Sequence, residues 1–352
     1  MIAPRVLEAL AAPTIGHLDP YLLELYAEEQ ALLQQVFQTG NEWTFSISGT
    51  GTAGMETVLV NLIEPGDFVL CAVKGYFGER LAEIATRCGA AVDRIWRPWG
   101  ETFTVEEFEY ALTCHKYKLV TLVHTETSTG AVQGNIREIA DVAHKHDALL
   151  VLDTVTSLGG VTVDIDAWGI DAAYAASQKC LSVPPGLSPL TIGERARQVI
   201  EKRTRPVHSF YLDLNQYASY WNGAHGYHHT ASSNLHYAMR EGLRMLLEEG
   251  LENCFSRHKS NAEALWAGLE VLGFPPLIPE FYRSPVLTTP RIPVELEEAR
   301  IRARLLNEYN IEIAGGFGDL RGKVWRIGLM GHSSRLENVT ILLDALKKLI
   351  RG

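Results

Sequence analysis

The sequence predicts an α/β fold: a mostly parallel sheet in a large domain, followed by a smaller C-terminal α/β domain. Three observations support this. Near-continuous apolar runs of strand length alternate with helical patterns through the first two thirds of the chain. The pattern changes near residue 240, where a long helical stretch leads into a short mixed segment. The chain has 352 residues, 46% of them hydrophobic, which is more than one compact domain of ordinary size needs.

The elements follow in order. "TFSIS" (44–48) reads as a strand, and "AGMETVLVNLI" after it as a helix. Met55, Val58, Leu59 and Leu62 fall at i, i+3, i+4 and i+7 and share one helical face. "DFVLCAV" (67–73), "KLVTLVH" (118–124) and "ALLVLD" (148–153) are further strands. "DAAYAAS" (171–177) and "SPLTIG" (188–193) add two short ones. A long helical pattern then runs to Gly273, with Gly250 as a break or a kink. "VLTTPRIP", a helix at 295–308, "IEIAGG", "VWRIGL" and a last helix make the small unit. We expect a large domain over 1–245 and a small one over 246–352, with segment 1–15 packing on the small domain or on a partner.

Charged residues are 21% and the net charge is −10, which argues against nucleic acid and anionic membrane as partners. The five cysteines, Cys71, Cys88, Cys114, Cys180 and Cys254, form no CxxC pair. That favours a reducing compartment over a disulfide frame or a zinc site. "MIAPRVLEALAAP" lacks the apolar core of a signal peptide. No run reaches the roughly 18 apolar residues of a membrane helix. The expectation is a cytoplasmic protein. The histidines at 225, 228, 229 and 236 suggest no metal site, because adjacent His228 and His229 are expected to point different ways and no carboxylate completes the set.

Three places carry chemistry. Gly49-x-Gly51-x-x-Gly54 stands between a strand and a helix and matches the dinucleotide fingerprint. That fold needs an acid at the end of the next strand. "DFVLCAV" ends in Val73 and runs into Lys74, and its Asp67 is at the wrong end. A nicotinamide dehydrogenase is therefore the weaker reading. An anion site at the helix start is the stronger one, with the Thr50 and Thr52 hydroxyls added to the free amides. Asp153 ends an apolar strand, where parallel sheets collect ligands. Lys179 follows 26 residues later in "SQKCLSVPPG", after one more strand, so both can meet at one rim. Taken alone, Asp153 reads as a turn cap and Lys179 as a surface lysine.

"SGTGTAGMET", "HTETSTG", "LLVLDTVTSLGG", "SQKCLSVPPG", "YHHT" and "GKVWRIGLMG" occur in this order. Together they resemble the alanine–glyoxylate/serine–pyruvate aminotransferase branch of the class V pyridoxal-phosphate-dependent aminotransferases. The likeness runs from "APRVL" to the last helix. It implies fold type I of the pyridoxal-phosphate-dependent transferases, with a seven-stranded sheet, and a homodimer with active sites at the subunit interface.

The resemblance also implies roles. Lys179 would form a Schiff base with pyridoxal 5'-phosphate and then move the substrate's Cα proton. Asp153 would pair with the pyridine nitrogen. Val155 would pack on one ring face and Phe77 on the other. Ser128 would reach the ring's polar edge. Gly51, Thr52 and Gln178 would hold the phosphate, and Tyr227 and Thr230 would reach the phosphate of a neighbouring subunit. Arg326 would clamp the substrate carboxylate with two parallel bonds. Gly16 and His17 would lie near the partner's site. The family's GPGP-like segment upstream of "APRVL" is not in this sequence, which bears on stability and substrate closure, not on the reaction class.

The implied reaction is transamination from alanine or serine to glyoxylate or pyruvate by a ping-pong scheme. The alternatives with the same cofactor are a ureidoglycine–glyoxylate aminotransferase and a lyase. A desulfurising lyase needs a cysteine on a mobile loop in the C-terminal half. Residues 255–352 hold no cysteine, and Cys180 reads as a packing residue.

Overall fold

The computed structural model describes residues 1–221 and 227–351. Helices α1 (Pro4–Leu10) and α2 (Pro20–Phe37) precede the first strand. The strands that follow are β1 (Trp43–Ser48), β2 (Phe68–Val73), β3 (Ala91–Trp96) and β4 (Leu119–Val123). A small hairpin, β5 (Thr125–Glu126) and β6 (Ala131–Val132), comes next. Then come β7 (Leu149–Asp153), β8 (Ala172–Tyr174) and β9 (Leu187–Ile192). The helices between them are α3 (Gly51–Leu62), α4 (Tyr76–Arg87), α5 (Val105–Leu112), α6 (Ile136–Lys145) and α7 (Ile165–Trp168). After β9 lie α8 (Glu194–Glu201), α9 (Leu214–Trp221), α10 (Ser233–Glu249) and α11 (Leu251–Val271). The chain ends with β10 (Leu287–Thr288), α12 (Glu298–Tyr309), β11 (Ala314–Gly315), β12 (Trp325–Gly328) and α13 (Leu336–Arg351).

The large sheet has seven strands in the order β1-β9-β8-β7-β4-β2-β3. Strands β3, β2, β4, β7 and β8 pair in parallel, and β9 runs antiparallel to both of its neighbours. The unbroken apolar runs are explained by burial on both faces. Val69, Cys71 and Val73 pack with Val58 and Leu59 of α3 on one face. Leu70 and Ala72 pack with Ile139 and Ala143 of α6 on the other. A third apolar cluster joins Leu265, Leu305, Trp325, Ile327 and Leu346 around the three-stranded sheet β10-β12-β11.

The topology removes the dehydrogenase alternative. A dinucleotide-binding βαβ unit pairs its first two strands in parallel. Here four strands separate β1 from β2. Asp67 is also spent elsewhere, accepting from Lys118 Nζ at 2.7 Å and the Glu64 amide at 2.6 Å.

Two sequence expectations are corrected. Strand β3 was not foreseen, because "AVDRIW" is an edge strand with Asp93 and Arg94 in it and carries no apolar run. The strand expected over 171–177 spans only Ala172–Tyr174, after which the chain turns out towards Lys179. Of the break or kink expected at Gly250, the structure shows the break: the long helical stretch is two helices, α10 and α11. Gly250 has φ +84°, a left-handed backbone that breaks the helix and that only glycine adopts cheaply.

Candidate active site

The C-terminal ends of the parallel strands converge on one rim, where such sheets bind ligands. Asp153 ends β7, Lys74 follows β2, and His124 follows β4. The turn after β8 carries Gln178 and Lys179, and the start of α3 faces the same rim.

The α3 end is built to receive an anion. Thr50 is its N-cap, and no side chain caps the helix. Free amides and the positive end of the helix dipole are therefore left for a ligand. A Cβ on Gly51 would stand 3.0 Å from Ala176 Cβ and 3.1 Å from Val155 Cγ2, so the backbone approaches the Val155 side of the site as only glycine allows. A Cβ on Gly54 would overlap the Ser188 hydroxyl, so this glycine serves helix–sheet packing. Thr52 Oγ1 accepts from Arg80 at 3.1 Å. Arg80, on α4, also lies 4.9 Å over the Phe77 ring. It adds a full positive charge to the cradle.

Asp153 is buried and held from two sides. Oδ2 accepts from the Tyr174 hydroxyl at 2.8 Å and Oδ1 from the Val155 amide at 2.9 Å. Burial pushes its carboxyl up to about 6, while the two donors and the Lys179 charge pull the other way. Lys179 is half-buried. Burial lowers its amine below the usual lysine range, and Arg326 adds to this. A lysine in that state is a better nucleophile and base at neutral pH. Gln178 next to it is exposed.

Phe77 and Ser128 are held by one residue that sequence reasoning missed. Glu126 Oε1 accepts from the Ser128 hydroxyl at 2.6 Å, the Ser128 amide at 3.1 Å and the Phe77 amide at 3.3 Å. The Tyr76 amide donates to Ser128 Oγ at 3.0 Å. Glu126 and Ser128 thus cap α4, whose own N-cap is Gly75. With its proton on Glu126, the Ser128 hydroxyl keeps one lone pair free to accept a bond.

Arg326 comes from the small sheet. Its neighbours Trp325 and Ile327 point into the third cluster, so strand alternation turns Arg326 to the opposite face. Nε donates to Gly315 O at 2.9 Å, and the guanidinium lies 3.8 Å over the Phe317 ring. It makes no salt bridge among the described residues. Phe317 also stacks on Tyr76 at 4.8 Å, which links the small sheet to α4.

Tyr227 and Thr230 lie elsewhere on the surface. Tyr227 is 60% exposed, 3.4 Å from the Thr230 hydroxyl and 5.2 Å from the His17 ring, close to Gly16 in the chain. No hydrogen bond among the described residues joins them to the Thr50–Thr52 cradle. His228 and His229 do not diverge: their Nδ1 atoms meet at 2.9 Å, because the segment is folded back under Tyr217. His225 lies outside the described residues. Among the described residues no group of three metal-ligating side chains occurs.

The buried thiols do not fit a nucleophile. Cys180 donates to Thr156 O at 3.4 Å, and Cys254 to Gly159 O at 3.3 Å. Burial pushes each up to about 12.

The residues present fit pyridoxal phosphate. An uncapped helix start with Arg80 suits the phosphate, Asp153 suits a ring nitrogen, and Val155 and Phe77 suit the two ring faces. Glu126 Oε2, buried without a partner among the described residues, marks a polar wall behind them. The family model for class V aminotransferases matches residues 7–319. The (S)-ureidoglycine–glyoxylate transaminase of Bacillus subtilis is 40% identical, covering 99% of this chain and 88% of its own length. The alanine–glyoxylate aminotransferase of Mus musculus is also 40% identical, over 99% and 85%. A solved alanine–glyoxylate aminotransferase from Nostoc sp. superposes with a TM-score of 0.98 at 48% identity, covering 99% of this chain and 93% of that one.

Proposed function

The chain belongs to the class V aminotransferases, a family that depends on pyridoxal phosphate, and we propose that it moves an amino group from alanine or serine to glyoxylate or pyruvate. The observation that carries this is Arg326: a half-buried guanidinium without a carboxylate partner among the described residues, acting electrostatically on Lys179. Such a group is costly unless an anionic ligand completes it.

When bound, the cofactor supplies an electron-withdrawing ring that takes up charge from the substrate's Cα. The chain's own residues do the rest. Arg326 binds the substrate carboxylate and fixes the Cα beside Lys179. Lys179 would hold the cofactor covalently and would later carry the proton off Cα and back. Asp153, positioned by Tyr174 and Val155, would hold a proton on the ring nitrogen. The α3 amides, Thr50, Thr52, Gln178 and Arg80 would bind the phosphate, while Val155 and Phe77 would exclude water from the ring faces.

The exposed Tyr227, Thr230 and Gly16 suit a homodimer in which each subunit completes its partner's site. The division into 1–245 and 246–352 is supported by the third apolar cluster, whose residues begin at Leu265. Five free cysteines suit a reducing cytoplasm.

The test is a panel of amino donors against glyoxylate and pyruvate with the purified protein. Turnover of alanine or serine with either acceptor is expected. Turnover confined to (S)-ureidoglycine would replace the donor assignment, and no turnover with any pair would overturn the reading.

A further inference from the structure

Lys74 has no part in these steps, yet it is 0% exposed. Among the described residues its amine donates to one acceptor, Gln133 Oε1, at 3.3 Å. Gln133 is locked to present that oxygen. Its Nε2 donates to Phe103 O at 2.8 Å and to Asn135 Oδ1, and the Phe103 amide meets Oε1 at 3.0 Å. A buried lysine with one long neutral contact needs another source of compensation.

Glu126 is that source. It is as deeply buried as Lys74, and its Oε2 has no partner among the described residues. Glu126 packs against Gly75, the residue after Lys74: a Cβ there would overlap Glu126 Cγ and Cδ, while no direct ion pair joins the two charges among the described residues. The Glu126 charge acts on Lys74, and also on Asp153, Tyr174 and Arg326. The Lys74 charge also acts on His124, whose imidazole burial pushes down to about 3, so it adds no charge at neutral pH.

We propose that Glu126 is a positioning residue that holds Phe77 and Ser128 against the cofactor ring, and that Lys74 is its buried counter-charge. The ring contact rests on the function proposed above; the charge pair does not. Burial lowers the Lys74 amine to about 7 from 10.5, against the pull of Glu126. The pairing is therefore present when Lys74 is protonated, at pH 6, and gone at pH 9.

The test is a double-mutant cycle with Glu126→Gln, Lys74→Met and the double variant in the full chain. The first readout is the affinity for added pyridoxal phosphate, from the visible absorbance it develops. At pH 6 each single variant is expected to bind more weakly. The double variant should lose at least about tenfold less than the product of the two single losses. At pH 9 the losses should multiply within about twofold. Losses that multiply at pH 6, or an equal coupling at both pH values, would overturn the pair, because a purely steric contact does not titrate. The second readout is thermal unfolding of the cofactor-free protein. At pH 6 the double variant should regain at least half of the combined drop in Tm, and no recovery would overturn the pair. If the unmutated protein binds no cofactor, the proposed function fails, and the unfolding cycle still decides the pair.

Discussion

The Tyr174 hydroxyl donates to Asp153 Oδ2 at 2.8 Å, and the two residues stand opposite each other in the β7–β8 register. Tyr174 therefore fixes the carboxylate from the neighbouring strand, with no loop involved.

That geometry makes Asp153 costly to the empty protein. Its carboxyl sits at about 6, above its ordinary 3.8, chiefly through burial. An acid raised on folding is released first in the unfolded chain, so stability falls as pH rises from about 3.8 to 6 and the penalty is complete above that. Asp153→Asn should stabilise the cofactor-free protein by about 1–3 kcal/mol at pH 7 and hardly at all at pH 3. It should also slow turnover about 100-fold or more. Denaturant unfolding at the two pH values, with turnover alongside, checks both.

Tyr174→Phe removes one donor and leaves the Val155 amide. The Asp153 carboxyl should then rise further, and the acid limb of the turnover-against-pH profile should move to higher pH. An unmoved limb would mean that Tyr174 only packs.

Arg326 offers a planar fork held flat on Phe317. Arg326→Lys keeps the charge and loses the paired geometry. KM for the amino donor should rise about 10- to 100-fold, because the paired bonds to the carboxylate are lost. Thermal stability should change little, since the arginine makes no salt bridge among the described residues. Steady-state kinetics and a melting curve decide it.

Arg80 bridges Thr52 and the Phe77 ring. Arg80→Gln should weaken pyridoxal phosphate binding about tenfold, and added inorganic phosphate should compete less well than with the unmutated protein. Equilibrium titration with both ligands measures this.

Much of this site was legible in sequence because strand ends are legible. Asp153 closes an unbroken apolar run, and Lys179 stands one strand later. The helix start at Gly51 is announced by its glycines, and Arg326 by its place inside an apolar strand. Glu126 was not legible. It works only because the two-residue strands β5 and β6 fold it back under Phe77, 49 residues away in sequence. The strand that holds Tyr174 was legible, but the residue's role was not, since it depends on register. Phe317 and Arg80 act through rings and hydroxyls brought together by tertiary packing. Strand β3 was missed for a simpler reason: at the sheet edge it needs no continuous apolar run.

The central claim is that Lys179 links this chain covalently to pyridoxal phosphate. The most direct measurement is the visible spectrum of the purified protein reconstituted with that cofactor, beside Lys179→Ala. A band that hydroxylamine discharges, present in the unmutated protein and missing from Lys179→Ala, is the predicted result. No such band in the unmutated protein, or the same band in Lys179→Ala, would contradict the account.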